Sequence, residues 1–223
     1  MDYLPCIEHT PGVPAEGSVI WLHGLGASGS DFSPLVPHLG LPRIRFVFPH
    51  APTAPVTINQ GHVMPSWYDI RSLDHDRPDR EDPAGVQASA TAIGALIQRE
   101  ISRGLPHSRI VLAGFSQGAA MALHVGLRRR EPLAGLVVLS GYVVLADTWS
   151  TEITSEALTT PVFFGHGRDD EVVPIEGGRA AHRATTEAGA TTTWRDYPMG
   201  HEVCPEEISD LRRWLHACFA PGR

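Results

Sequence analysis

A mostly parallel β-sheet covered by helices on both faces, an α/β architecture, is what this sequence predicts, and three observations lead there. Short, continuously apolar runs rich in Val and Ile recur along the 223 residues, as strands buried on both faces require. Stretches with helical spacing of apolar residues alternate with those runs. No repeat, low-complexity block or linker divides the chain, so a single domain over residues 1–223 is expected, an ordinary size for one α/β core.

The strands are expected at Ser18–Leu22, Arg43–Phe48, Arg109–Ala113, Gly135–Leu139, Pro161–Phe164 and Thr191–Asp196. The clearest helix opens with Asp82 as N-cap and Pro83 in its first turn. It places Val86, Ala90, Ile93, Ile97 and Ile101 on one face and stops at Gly104. Further helices are expected over Gln117–Leu127, Ile175–Glu187 and Glu206–Phe219. Pro49–Met64 is Pro-rich and without clear periodicity, and reads as a long loop of the kind that carries function in compact domains.

Composition removes several function classes. The formal charge of −7 leaves no basic excess to meet phosphates, so nucleic-acid binding is not expected. All 18 basic residues are arginine, which leaves no lysine for Schiff-base chemistry. The 12 histidines are scattered without paired short spacing, and no metal site is expected among them. Cys6, Cys204 and Cys218 are an odd number without a repeated spacing, so a reducing compartment fits better than a disulfide framework. With neither a leader-like N-terminus nor an apolar run of transmembrane length, a cytoplasmic protein without integral membrane segment is expected. Either a monomer or a homodimer fits.

One motif carries chemistry. Gly114-Phe115-Ser116-Gln117-Gly118 reads G-x-S-x-G, follows the apolar run RIVLA and leads into the small-residue stretch QGAAMALHVGL. Strand, sharp turn and helix in that order form a nucleophile elbow, which lifts a serine hydroxyl above the sheet. Such a serine needs a base and an orienting acid, which in this architecture follow it in the order acid, then histidine. His201 follows the last expected strand and precedes the terminal helix, whereas His124, His182 and His216 fall on helices. Asp169, Asp170 and Glu171 all follow the strand PVFF, and spacing does not separate them. After the first strand, His23-Gly24-Leu25-Gly26 occupies the place of an oxyanion loop, with the amides of Leu25 and Gln117 as donors. Gly24-x-Gly26-x-x-Gly29 also matches a dinucleotide-binding pattern. That reading fails because no acidic residue ends the second strand.

With these residues in view, the sequence resembles the bacterial carboxylesterase and acyl-protein thioesterase family, also described as the phospholipase/carboxylesterase group. The resemblance lies in WLHGLGASGSDF (Trp21–Phe32), FPHAP (Phe48–Pro52), MPSWYDI (Met64–Ile70), AGFSQGAAMAL (Ala113–Leu123), HGRDDEVVP (His166–Pro174) and YPMGHEV (Tyr197–Val203). It implies an α/β-hydrolase fold without a large lid domain, and a serine hydrolase that needs no cofactor. It also implies Asp170 as the acid, His201 as the base and Ser116 as the nucleophile, with Leu25 and Gln117 as oxyanion donors. Two positions depart from the pattern: Ala27, where the family often has an acid, and Ala119, where it often has a second glycine.

The resemblance further implies that the long loop covers the acyl chain. Val63, Met64 and Trp67, together with Val56 and Ile58, are the expected apolar wall. The expected substrates are small-molecule or lipid-like acyl esters of short to medium chain length, with long-chain thioesters and lysophospholipids as further candidates. A non-catalytic binding module of the same fold is the rival reading. Cys204, which precedes Pro205 at a helix start, reads as a structural thiol whose pKa a helix N-terminus would lower.

Overall fold

The computed structural model describes residues 3–72, 77 and 79–220. Met1 and Asp2, the start of the segment read as lacking a leader, lie outside them. The strands are β1 (Cys6–His9), β2 (Gly17–Leu22), β3 (Ile44–Pro49), β4 (Thr53–Val56), β5 (His62–Pro65), β6 (Ile110–Phe115), β7 (Gly135–Leu139), β8 (Val162–Gly167) and β9 (Thr192–Tyr197). The helices are α1 (Val36–Leu39), α2 (Pro83–Ser102), α3 (Gln117–Gly126), α4 (Trp149–Glu152), α5 (Ile175–Glu187) and α6 (Pro205–Cys218).

Seven strands form one sheet in the order β1-β3-β2-β6-β7-β8-β9. All neighbours are parallel except β1, which runs antiparallel along β3. The period of two along each strand sorts the core. Ile20, Leu22, Leu112, Val138 and Phe164 face α2, α3 and α5, while Val19, Trp21, Val111, Val137 and Phe163 face α1 and α6. Because both faces are filled with large side chains, slipping a strand by one residue would exchange two different packings, and the register is held for that reason. This is the α/β-hydrolase arrangement of a mostly parallel sheet with helices on both faces.

All six expected strands and all four expected helices form. α2 begins as expected, with the Asp82 carboxylate accepting from the Gly85 amide at 3.1 Å and Pro83 at its first position. Its buried face is rotated from the expected one. Ser89 and Glu100 occupy it beside Val86, Ile93, Leu96 and Ile97, while Ala90 and Ile101 are half-buried at its edge. Polar residues fit there because each has a partner: the Ser89 hydroxyl donates to the Trp67 carbonyl, and Glu100 accepts from Arg45 at 2.7 Å.

Two elements depart from expectation. The stretch expected to be a structureless loop contains the antiparallel hairpin β4–β5, with Val56 paired to His62. Its first strand, TAPV, alternates exposed and covered positions, but Pro55 masks that pattern. The edge strand β1, with only four residues (CIEH), carries no apolar run to announce it.

Candidate active site

The elbow explains why glycines flank Ser116. A Cβ at Gly114 would run into the backbone of Gly118, and one at Gly118 would run into the carbonyl oxygens of Leu22 and His23. The turn between them holds Ser116 at φ 55°, ψ −121°, a region non-glycine residues rarely adopt. Its amide is fixed to the Leu139 carbonyl at 2.8 Å. The strain thus sits at the residue whose hydroxyl reaches His201.

Ser116, Asp170 and His201 come from the ends of β6, β8 and β9, and the structure brings them together. The Ser116 hydroxyl lies 2.9 Å from His201 Nε2, and His201 Nδ1 lies 2.7 Å from Asp170 Oδ2. A carboxylate accepts only, so Nδ1 carries the proton and Nε2 is left as acceptor for the serine hydroxyl. Of the three adjacent acids, Asp170 is buried and faces His201, while Asp169 and Glu171 are exposed. Burial alone raises the Asp170 carboxyl. Hydrogen bonds from His201 and from the Val173 and Val172 amides outweigh it and hold the group below its ordinary value.

A second histidine supports the acid. His166 is buried, and its Nε2 donates to the Val173 carbonyl at 2.8 Å while the Val173 amide donates to Asp170. Burial lowers the His166 pKa, so the ring is neutral and acts as a fixed donor. Phe115, the residue before Ser116, packs against His201 with the rings tilted by 44° and their centroids 4.7 Å apart. Spacing pointed to neither residue, although both sit inside the two motifs.

The loop after β2 is tied down from three directions. His23 Nδ1 donates to the Gly24 carbonyl at 2.7 Å, and its Nε2 accepts from the Ala51 amide at 3.0 Å, which requires a neutral ring. The Trp67 indole N–H donates to the His23 carbonyl at 2.8 Å, and the Gly26 amide donates to the Pro65 carbonyl at 2.8 Å. Gln117 opens α3, where a helix leaves its first amides unpaired. Leu25 and Gln117 both line the cavity over Ser116. The Gln117 side chain turns the other way: its Oε1 accepts from the Trp67 amide at 2.9 Å and its Nε2 donates to the Tyr68 carbonyl at 2.8 Å.

The cavity measures about 820 Å³, and its walls include Phe32, Leu35, Ile58, Ile70, Tyr142 and Val203. Of the residues expected to form its apolar wall, Ile58 alone lines it. Val63 is exposed on β5, Met64 is half-buried beside Asn59, and Val56, at the end of β4, and Trp67, just after β5, are buried away from the cavity lining. Trp67 is withdrawn because its N–H finds a buried acceptor, the His23 carbonyl, in the loop after β2. Cys204 is the N-cap of α6, yet its thiol is raised rather than lowered, chiefly by desolvation. Among the described residues no cluster of three or more His, Cys, Asp or Glu could hold a metal ion, and no helix is long and apolar enough to cross a membrane.

Residues 7–219 match the phospholipase/carboxylesterase family. The chain belongs to this family. Acyl-protein thioesterase 1 of Cryptococcus neoformans is 39% identical over 94% of this chain and 96% of its own length. The crystal structure of Zea mays acyl-protein thioesterase 2 superposes with a TM-score of 0.87 at 30% identity, covering 98% of this chain and 100% of that one. Arabidopsis thaliana SOBER1 superposes with a TM-score of 0.86 at 33% identity, over 92% of this chain and 99% of its own. These relatives are fungal and plant proteins, so the likeness is not confined to the bacterial members of the family. As a phospholipase/carboxylesterase, the chain is a hydrolase of the carboxylesterase and acyl-protein thioesterase type.

Proposed function

We propose that this phospholipase/carboxylesterase cleaves short- to medium-chain acyl esters and thioesters in the cytoplasm, through a covalent acyl-Ser116 intermediate. The observation that carries the proposal is the continuous chain Ser116–His201–Asp170, bonded at 2.9 and 2.7 Å and opening on the cavity. In acylation, Ser116 Oγ attacks the carbonyl carbon while His201 Nε2 takes its proton. Asp170, held ionised by its amide donors, steadies the imidazolium that results. Charge developing on the carbonyl oxygen rests on the amides of Leu25 and Gln117, where one donor is worth about 3–4 kcal/mol in barrier lowering. The leaving oxygen or sulfur then takes the proton from His201. Water, activated by the same ring, attacks the acyl carbon and restores the serine. The scheme needs neither metal nor organic cofactor.

The cavity volume of about 820 Å³ lies in the range of small-molecule sites, roughly 300–1,000 Å³, which favours acyl chains of modest length. Thioesters are included because the relatives are named as acyl-protein thioesterases. The test is labelling with a fluorophosphonate, which reacts fast only with an activated serine. Wild type is expected to label at Ser116. Ser116→Ala is expected to lose both labelling and hydrolysis of a small aryl ester. Retention of a tenth of wild-type turnover by that variant would exclude Ser116 as the nucleophile.

A further inference from the structure

A second groove adjoins the reaction cavity. It measures about 430 Å³ and is lined by Leu35, His38, Val203, Pro205, Ile208 and Arg212, among others. Leu35 and Val203 line both spaces, so the two lie side by side along these residues. We propose that this groove is a subsite for the leaving group, and that it selects leaving groups whose anionic end reaches Arg212 across an apolar spacer.

The direction follows from the chemistry proposed for Ser116 and His201, on which this inference rests. His201 must hand its proton to the departing oxygen or sulfur, so the leaving group exits on the His201 side of the serine. The chain from His201 through Glu202 and Val203 to Cys204 and Pro205 forms the wall of the cavity and then of the groove. A leaving group longer than the cavity is therefore led along Leu35 and Val203 into the groove.

The charges specify the occupant. Asp31, Glu171 and Glu202 line the reaction cavity and disfavour an anion close to the scissile bond. The cavity's cation, Arg80, lies 3.6 Å from Glu81. In the groove the balance reverses. Among the described residues no carboxylate pairs with Arg212, although its neighbour Arg213 pairs with Asp210. Gly40, in left-handed conformation at φ 62°, ends α1 and lets the Arg212 guanidinium lie against it, where a Cβ would stand 3.2 Å from the guanidinium carbon. Apolar walls between the acidic cavity and this arginine match an apolar spacer ending in a carboxylate or phosphate.

The test is a series of esters with one acyl group and leaving alcohols of graded length. Each length is supplied as an ω-hydroxyalkanoate and as its neutral amide, and the readout is the ratio of kcat/KM between the two. Because Arg212 is exposed, wild type is expected to favour the anionic ester only several-fold, at one optimal spacer length. Arg212→Ala should bring the ratio to about one, and Arg212→Glu should invert it. Arg130→Ala, which removes an exposed arginine on another surface, should leave the ratio as in wild type. A wild-type ratio of one at every length, or a ratio indifferent to Arg212, overturns the inference. So does a Val203→Trp variant that shortens the acyl-length profile but not the leaving-group profile, since the groove would then hold the acyl chain. Failure of the parent mechanism shows differently: wild type would hydrolyse none of the esters, neutral ones included, and would escape fluorophosphonate labelling.

Discussion

At the scale of single residues, three adjacent acids after β8 show where sequence stops and geometry begins. Asp169, Asp170 and Glu171 share composition and position, and only the curl of the chain distinguishes them. Asp170 Oδ1 folds back to accept from its own Val172 and Val173 amides at 3.0 and 2.8 Å, which leaves Oδ2 aimed at His201. Asp169 contributes its backbone amide to the Met199 carbonyl at 3.1 Å and leaves its side chain in solvent. Asp170→Asn is therefore expected to lower kcat by about 10⁴, the loss seen in the serine-protease precedent when the orienting charge goes and the imidazole takes the wrong tautomer. Asp169→Asn is expected to stay within about twofold of wild type on the same aryl ester. Comparable losses in the two variants would assign the orienting role wrongly. The same carboxyl, held below its ordinary value, stabilises the fold above the ordinary range of an aspartate. That contribution is lost as the pH falls through its lowered value.

At the scale of elements, buried parallel strands were legible because they are apolar on both faces, and the elbow because its glycines stand where backbones touch. What stayed hidden was held by long-range polar contacts, which leave no periodic trace. The hairpin β4–β5 is one case: its base is fastened by Gln117, a residue fifty positions away that motif reading valued for its amide alone. Trp67 is another. An aromatic residue near a site suggests a substrate wall, yet its indole is spent on the His23 carbonyl in the loop after β2. Gln117→Leu keeps the backbone amide and removes the side-chain clamp, leaving the Trp67 amide without its buried partner and the Tyr68 carbonyl with the Ser66 hydroxyl alone. An orphaned buried group costs roughly 1–3 kcal/mol. The variant should lose about 1–3 kcal/mol of stability, lose amide-exchange protection at Trp67, and show a lower kcat from a loosened loop after β2. Unchanged exchange at Trp67 would show that the clamp does not hold the hairpin.

At the scale of the whole molecule, one buried carboxyl ties stability to pH. Glu207 lies in the first turn of α6 with its side chain fully buried, and neither carboxylate oxygen finds a partner among the described residues. One oxygen lies against Gly165 of β8, at a place a Cβ would occupy, so the group is wedged between helix and sheet. Burial, helped by the nearby Asp210 charge, pushes its pKa up to about 8. The helix N-terminus pulls the other way, but such an end favours a carboxylate by at most about 2 kcal/mol, and desolvation wins. In the unfolded chain the group ionises near 4.5, in the folded protein near 8. A group raised on folding contributes its stability in full below the unfolded value and loses it as pH climbs through the folded one. The difference amounts to about 5 kcal/mol in all, most of it lost by pH 8. Denaturant unfolding should therefore show the stability of wild type falling relative to that of Glu207→Gln from pH 5 to pH 9, a difference in which the buried histidines, whose lowered values act in the opposite sense, cancel. Glu207→Gln keeps the shape and cannot ionise, so its curve should cross above wild type on the alkaline side. Parallel curves would mean that the buried group ionises in the folded protein as easily as in the unfolded chain. In that case a polar partner must reach it inside the interface between α6 and β8.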